Sequence, residues 1–529
     1  ASAGKFNLGS LAIDRLNLTG RIALHDASSR GTLELNDIAF SGDVRSLAGS
    51  VRGDGNFVLS GVRYPFRVSS GQTADGSGTR VHLNIDPGAR ALSVDLDGVL
   101  SFEARAPRFD GALILAVPAG LKTKDDAAIM PWRISAKVKA EPSAARLEQL
   151  DAVLGAEDSA LRFSGVGDIS FGASPLLRAA LSARQLDADR FVAKGNSAAE
   201  PVRLLPGLRA LMAAIPQTVP IPAQIEFSAD QIMLGGRPLQ NFSAALQAGA
   251  RSWAIDRLEF RAPGATRVSL GGSNAQVGSF TGALSVDSAD PDALVTWLQG
   301  RGEVVYRSQK PLRLRGDLTV APDRVAIDAM KAEIDGGAVE GRAAISTASG
   351  GSRFDAELKA ERLDLDAATA LARSLAGPQG EWPDEAQLTL DIGRALSAGQ
   401  ELRPFLAKVG YGATSFALDQ LKIGQASGVM VEGAGSFDRV TTSGKLTLNS
   451  SAASLGQITG LIAPLAPALA ARLNAMGPSP GPARLKLSLD LDKNAQQADR
   501  ANARAVFDFD TPQLKGAVTI AAKPVIVAL

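Results

Sequence analysis

Side chains able to do acid–base or nucleophilic chemistry are scarce in this sequence. Its 529 residues include two histidines, His25 and His82, and no cysteine. Thiolate catalysis, cysteine zinc sites, iron–sulfur clusters and disulfides are therefore excluded. Neither histidine has a serine or a second histidine at a spacing typical of a catalytic pair. We therefore predict a protein that is not an enzyme and has no catalytic residues.

Aspartates separated by one residue are the remaining candidates for a cation site. Three such pairs follow apolar strands: Asp187 and Asp189, Asp290 and Asp292, and Asp364 and Asp366. Carboxylate oxygens are the ligands that Ca²⁺ and Mg²⁺ take in proteins. However, Asp292 and Asp366 each precede a helical apolar pattern, where an aspartate caps the first turn. We favour capping, and predict no metal and no cofactor.

The charge balance bears on the partners of the chain. Lys and Arg number 56 and Asp and Glu 55, for a formal charge of +1. Nucleic-acid binders normally carry a basic excess or stripe, so no nucleic-acid partner is predicted. A bilayer-spanning helix needs about 20 mostly apolar residues. The longest charge-free stretch, 446–471, is broken by polar residues and two prolines. The first ten residues also lack the apolar core of a signal peptide. We expect a soluble chain that is a fragment of something longer.

Apolar residues recur at every second position in many segments. The clearest is 484–492, where Leu485, Leu487, Leu489 and Leu491 alternate with polar residues. This period predicts strands with one buried and one wetted face. Turn signals at hairpin spacing separate the segments. The pattern predicts a mainly β fold with a long series of antiparallel strands, and short helices at 201–215, 291–298, 366–375 and 457–476.

A short phrase, typified by Ala-Ile-Asp-Arg-Leu, repeats along the chain. Its copies lie at 12–16, 254–258, 326–330 and 417–421, with a looser copy at 147–150. A glycine-marked turn and a strand follow the later copies, and in three units an aspartate pair comes next. The repeats predict an N-terminal region (1–140), a region with two units (141–302), a third unit (303–378) and a fourth with the terminal strands (379–529), all within one continuous groove.

These repeats resemble the AsmA family, inner-membrane-anchored periplasmic proteins of Gram-negative bacteria related to TamB. The resemblance rests on 8–18, 53–61, 418–422 and 433–435. It implies an elongated antiparallel sheet, curled into an open hydrophobic groove, that carries phospholipid acyl chains between the inner and outer membranes. It also implies a periplasmic location, a role in outer-membrane biogenesis, and an inner-membrane anchor that this chain lacks.

The composition agrees with an open groove. Strands with one apolar face need a second layer, yet few helices are predicted and aromatic residues make up only 5%. Acyl chains would supply the missing cover. The predicted groove residues are Leu312, Leu314, Leu388, Leu390, Leu485, Leu487, Leu489, Leu491, Phe507 and Phe509.

Two other functions remain open. The first is a scaffold that assists the assembly of outer-membrane proteins through exposed sheet edges, which template added strands. The second is an adhesin or a polysaccharide-binding enzyme, although clustered carboxylates and stacking aromatics are scarce.

The repeats predict an elongated particle. A compact domain of this length would have a radius of gyration of about 24 Å. Small-angle scattering should return a clearly larger value, and a compact value would contradict the stacked-repeat arrangement.

Overall fold

The chain is mainly β. The computed structural model describes residues 13–25, 32–44, 50–59, 62–86, 92–103, 106–118, 131–155, 160–171, 174–189, 221–249, 252–274, 279–299, 310–348, 351–376, 383–425, 428–454, 456–457, 471, 475, 480–493, 500–512 and 515–526. In these residues it forms a 28-stranded sheet and two helices longer than one turn. The chain divides into two compact units, which are described separately: unit 1 is Ala1–Arg261 with Gly271–Val277, and unit 2 is Ala262–Leu270 with Gly278–Leu529.

Fifteen strands come before residue 278, from which point the chain belongs entirely to unit 2. They are β1 Ile13–His25, β2 Thr32–Val44, β3 Val51–Leu59, β4 Val62–Gln72, β5 Thr79–Ile85, β6 Ser93–Glu103, β7 Ala106–Val117, β8 Trp132–Glu141, β9 Ala144–Leu154, β10 Leu161–Ser170, β11 Leu176–Asp187, β12 Ala223–Leu234, β13 Arg237–Ala248, β14 Trp253–Ala262 and β15 Thr266–Ser273. The last two lie where the chain passes between the units.

The remaining strands and both helices belong to unit 2. They are β16 Phe280–Ser288, α1 Pro291–Gln299, β17 Leu312–Ala321, β18 Arg324–Ile334, β19 Gly337–Ala348, β20 Gly351–Asp364, α2 Leu365–Ala376, β21 Glu385–Ser397, β22 Gln400–Tyr411, β23 Ser415–Gln425, β24 Met430–Asp438, β25 Ser443–Ser454, β26 Pro480–Lys493, β27 Arg500–Asp510 and β28 Lys515–Ile526.

From β1 to β14 and from β16 to β28, each strand pairs with its neighbours in the chain. The pairs are antiparallel from β1 to β11, from β12 to β14, from β16 to β20 and from β21 to β28. Among the strand pairs of the described residues, two are parallel, β11 with β12 and β20 with β21. Parallel neighbours need a long crossover, and in the second pair α2 forms part of it. The predicted mainly β fold of consecutive antiparallel strands with a few short helices is confirmed.

Two of the four predicted helices are confirmed. The helices predicted at 291–298 and 366–375 correspond to α1 and α2. The helix predicted at 201–215 lies outside the described residues, and so does most of the one at 457–476.

The repeated phrase marks β-bulges. Side chains of a regular strand alternate between faces, so apolar residues three positions apart would point in opposite directions. In β18 the register shifts between Ile327 and Met330, and Ala329 has a φ of 46°. The inserted residue keeps both apolar side chains on one face. The same shift occurs at the other copies: Ile13 with Leu16, Leu147 with Leu150, Ile255 with Leu258, and Leu418 with Leu421.

The first aspartate of a pair caps a helix. Asp364 Oδ1 accepts hydrogen bonds of 2.9 Å from the backbone N–H groups of Asp366 and Ala367. Asp290 Oδ1 accepts one of 3.1 Å from Ala293 N–H. Capping was the right role, but it was predicted for the second aspartate of each pair. The helices begin directly after the first aspartate, before their apolar pattern starts.

The second aspartate holds a hairpin turn. Asp366 Oδ2 accepts a 2.6 Å bond from Ala398 N–H, in the turn between β21 and β22. Asp189 accepts bonds of 2.6 and 2.8 Å from Gly235 and Gly236 N–H, in the turn between β12 and β13. Each turn follows a strand paired in parallel with the strand before the crossover. Each of these aspartates therefore links the start of a crossover to the far end of the strand that follows the crossover.

The Asp366 contact is testable by hydrogen exchange. Asp366→Ala removes the acceptor of Ala398 N–H, and a lost bond of this kind costs about 1–3 kcal/mol. The opening free energy of the peptide spanning 396–402 should fall by about that amount. Asp391→Ala, on an exposed site of β21, is the matched control and should leave the exchange unchanged. Equal exchange in both variants would contradict the assigned role.

Candidate functional site: the apolar concave face

The predicted groove residues of the last strands lie on one side of the sheet. Residues directly opposite each other on paired strands share a face. Leu485 lies opposite Phe509, and Leu487 lies opposite Phe507. On the other side of β26, Leu489 lies opposite Leu446 of β25. The alternation in β26 therefore continues across its neighbours.

The remaining predicted residues join the same face. Leu314 lies opposite Val286 and Ala332, and Leu388 lies opposite Val409. From β16 to β24, one row contains an apolar residue directly opposite the next in every strand: Val286, Leu314, Ala332, Val339, Ala360, Ile392, Phe405, Ile423 and Val431. From β25 to β28, a second row continues it: Leu448, Leu487, Phe507 and Val518. We call this surface the apolar face of unit 2.

The opposite face of unit 2 is charged. Arg313 lies 2.9 Å from Glu333 across β17 and β18. Similar cross-strand ion pairs join Lys422 to Glu432 at 2.8 Å and Arg342 to Glu357 at 3.2 Å. Exposed pairs of this kind add little stability each. Their position shows that this face is in water.

Unit 1 has the same two-faced arrangement. From β3 to β8 one row of its apolar face runs without interruption: Gly53, Val68, Leu83, Leu96, Leu113 and Ala136. His82 lies on the charged face, with Nε2 3.8 Å from an Asp95 oxygen and 46% of its side chain exposed. His25 ends β1, and its side chain is outside the part that the structure describes.

Glycines show which face is concave. On the apolar face of unit 1, a Cβ added to Gly98 would lie 2.6 Å from the Phe109 ring and from Asp110 O. On the charged face, a Cβ at Gly71 would meet no atom within 4 Å. In unit 2, Gly435 of the apolar face is crowded by Lys445 O at 2.6 Å, whereas Gly410 of the charged face has its nearest atom at 3.9 Å. On the charged face of unit 2, Gly424 is also crowded, by Arg403 O beside the register shift between β22 and β23. Strands crowd on the inside of a bend, and most of the crowded glycines lie on the apolar face, which we therefore take as the concave face of each unit.

One edge of the apolar face in unit 2 is covered. Val295 of α1 and Leu371 of α2 form a buried cluster against which Leu312 and Ile334 pack. Side chains of α2 also pack on the neighbouring cluster of strand ends. We call the strand ends on this side of the sheet the covered edge. Its most buried residues beside the helices are at most 1% exposed: Val339, Ile392 and Ala395. Farther along the same edge, Val429 and Ala483 are equally buried in a separate cluster with Leu485 and Phe507.

The opposite strand ends form the open edge. There Ile345 is 42% exposed and Phe416 is 40% exposed. A concavity of about 200 Å³ lies beside Phe416, and its lining includes Phe437, Leu446, Leu489 and Leu491. Dry apolar cavities of about 150 Å³ bind benzene, so this space suits a short segment of hydrocarbon.

The predicted groove residues differ in accessibility. Leu485 and Phe507 are each 6% exposed and belong to a buried cluster near the covered edge. Leu487 and Phe509 pack against it and are half-buried, while Leu489 and Leu491 line the concavity. Phe416 and Leu446 were not predicted. For Leu446, the signal was its alternation with Lys445 and Thr447.

No metal cluster is present in the described residues: no three His, Asp or Glu side chains are grouped to hold an ion. None of the described helices is long and apolar enough to cross a bilayer. Comparisons with protein-family models, curated proteins and solved structures find no match for the chain. The AsmA resemblance therefore stays a prediction.

Replacing glycine by alanine should change stability differently on the two faces. Gly111→Ala would place a methyl group 2.7 Å from the Phe109 ring, in the crowded site opposite Gly98. Overpacking of this kind costs about 1–3 kcal/mol. Gly71→Ala enters open space in an extended strand and should be neutral or slightly stabilising. Hydrogen exchange of the β6–β7 and β4–β5 hairpins measures both, and equal protection in the two variants would mean that the faces are not differently curved.

Proposed function

We propose that this protein binds phospholipid acyl chains on its apolar concave face and carries them, without catalysis, between the inner and outer membranes. The observation that supports this most is the row of directly opposed apolar residues from β16 to β24. The AsmA resemblance supplies the setting: a periplasmic protein, anchored to the inner membrane in its longer form, that supports outer-membrane biogenesis.

An apolar surface of this extent calls for an apolar cover. Large contiguous apolar patches on soluble proteins are usually binding surfaces. The strands of unit 2 form one sheet, and in the described residues α1 and α2 cover only one edge of its apolar face. Acyl chains fit the remainder, because each buried methylene contributes about 0.8 kcal/mol.

The row also suits movement. Strands lie about 4.8 Å apart, and each step along the row offers another aliphatic or aromatic side chain of similar chemistry. An acyl chain that slides by one strand loses and regains comparable contacts, so no position on the face binds it strongly. This makes the face a path as well as a binding site.

A charge on the floor of this path should block it. Leu489→Asp puts a carboxylate beside Leu446 and Ala505, where an unpaired charge against hydrocarbon costs several kcal/mol. Because Leu489 is only half-buried, the variant should still fold. Native mass spectrometry should show at least about tenfold less copurified phospholipid, the loss expected for about 1.4 kcal/mol or more.

Two controls accompany this variant. Ser488→Asp points to the charged face, between Thr447 and Val506, and should retain lipid. Leu485→Asp puts a charge in the buried cluster and should unfold its surroundings. Wild-type lipid content in a folded Leu489→Asp variant would refute the proposal, as would a wild-type chain that binds no phospholipid.

A further inference from the structure

Three arginines lie on neighbouring strands of the charged face of unit 2. The apolar residues of β20, β21 and β22 that lie opposite one another beside α2 are Leu363, Ala395 and Leu402. The residue next to each of them in the chain is an exposed arginine: Arg362, Arg394 and Arg403. Because successive side chains of a strand point to opposite faces, these arginines point away from the apolar face. We call them the arginine row.

The first two members of the row are direct neighbours. Arg362 lies opposite Arg394 in the parallel pair of β20 and β21, whose strands are about 4.8 Å apart. Like charges directly opposite each other destabilise a sheet. Other arginines of this face have an acidic partner across the strands, as Arg342 has in Glu357 at 3.2 Å. An anion bound between the two arginines would remove the repulsion.

The acidic residues around the row do not saturate it. Glu401 Oε1 lies 3.1 Å from Arg394 Nε and also contacts Arg403. Glu361, beside Arg362 in the chain, is exposed. Three guanidinium groups therefore face two carboxylates. In the part of the chain that the structure describes, none of the three guanidinium groups donates a hydrogen bond, and Glu401 Oε1 accepts none. Their N–H donors remain available to a ligand.

We propose that the arginine row is a binding site for a phosphate group. Guanidinium groups bind phosphate oxygens through paired N–H donors, and three long side chains on neighbouring strands can reach one anion. A phosphate ester offers three acceptor oxygens, whereas a carboxylate offers two. Gly393 and Gly424 lie beside the row and have no side chain that could cover it. The site is on the face opposite the acyl-chain path and does not depend on the proposed function.

A titration of the full chain with pyrophosphate tests the site. Nε–Hε correlation spectra of the isotope-labelled protein should show shifts confined to the arginines of the row and their neighbours. Arg394→Gln removes the central guanidinium and should weaken binding at least about tenfold, the usual value of a lost hydrogen bond to a charged group. Arg342→Gln removes an arginine of the same face that is paired with Glu357. It is the matched control and should bind pyrophosphate as the wild type does.

Glu401→Gln separates a binding role from a structural one. Removing this carboxylate raises the positive charge of the row, so pyrophosphate should bind about threefold more tightly or better. If the arginines served only to pair with Glu401, the variant would lose stability and gain no affinity, and the proposal would be wrong.

Two probes distinguish the sources of the phosphate group. Vesicles of equal parts phosphatidylglycerol and phosphatidylcholine present it on a bilayer, and pyrophosphate presents it in solution. Vesicle binding that Arg394→Gln abolishes and Arg342→Gln retains would assign a lipid headgroup. Pyrophosphate binding alone, with the same dependence on Arg394, would assign a soluble phosphate compound. If neither probe binds in a way that depends on Arg394, or if acetate binds as tightly as pyrophosphate, the proposal is overturned, while acyl-chain binding on the other face is unaffected.

Discussion

Register is the constraint on which the structure depends. Because side chains alternate along a strand, a slip of one residue would move every apolar side chain of that strand to the charged face. The chain keeps its apolar residues aligned through strand after strand in each unit, as Leu83, Leu96 and Leu113 do in unit 1. The β-bulges at the repeated phrase serve this alignment. Where apolar residues are three positions apart, one extra residue restores them to the same face.

Curvature follows from the same alignment. Glycines such as Gly98 and Gly435 lie on the apolar face where a side chain would collide with the neighbouring strand. Their absence of a Cβ lets the strands approach on that side, and larger neighbours such as Phe109 fill the space above them. The apolar face thereby becomes the inside of the bend. Charged residues are left on the outside, where they pair across strands in water.

Much of the fold could be predicted from the sequence, because period two and hairpin turns are local signals. The alternation in β26 identified its apolar face, and the repeats located strands that the structure confirms. The meaning of the phrase Ala-Ile-Asp-Arg-Leu was not predictable in this way, since a bulge is defined by the register of the partner strand. The turn-holding role of Asp366 was missed for a similar reason: its partner, Ala398, is 32 residues away.

The apolar face of β26 could be predicted from the sequence, but the difference in burial along that face could not. Alternation placed Leu485 and Leu489 on one face, and they are indeed on the same face. It could not show that Leu485 is buried core while Leu489 lines a concavity, because that difference depends on what packs at each edge. The cluster that buries Leu485 draws on Val429 and Ala452, which precede β26 in the chain, and on Phe507 of the next strand. The difference between the two edges therefore emerges only in three dimensions.

The most direct measurement of the central claim is intermolecular NOE contact between methyl groups and a bound phospholipid. In a chain with methyl-labelled leucine, valine and threonine, acyl-chain protons should give NOEs to Leu487, Leu489 and Leu446. Val506 and Thr447, which lie on the charged face of the same strands, should give none. NOEs to Val506 and Thr447 as strong as those to Leu489, or an absence of acyl-chain NOEs to all five, would contradict an acyl-chain path on the concave face.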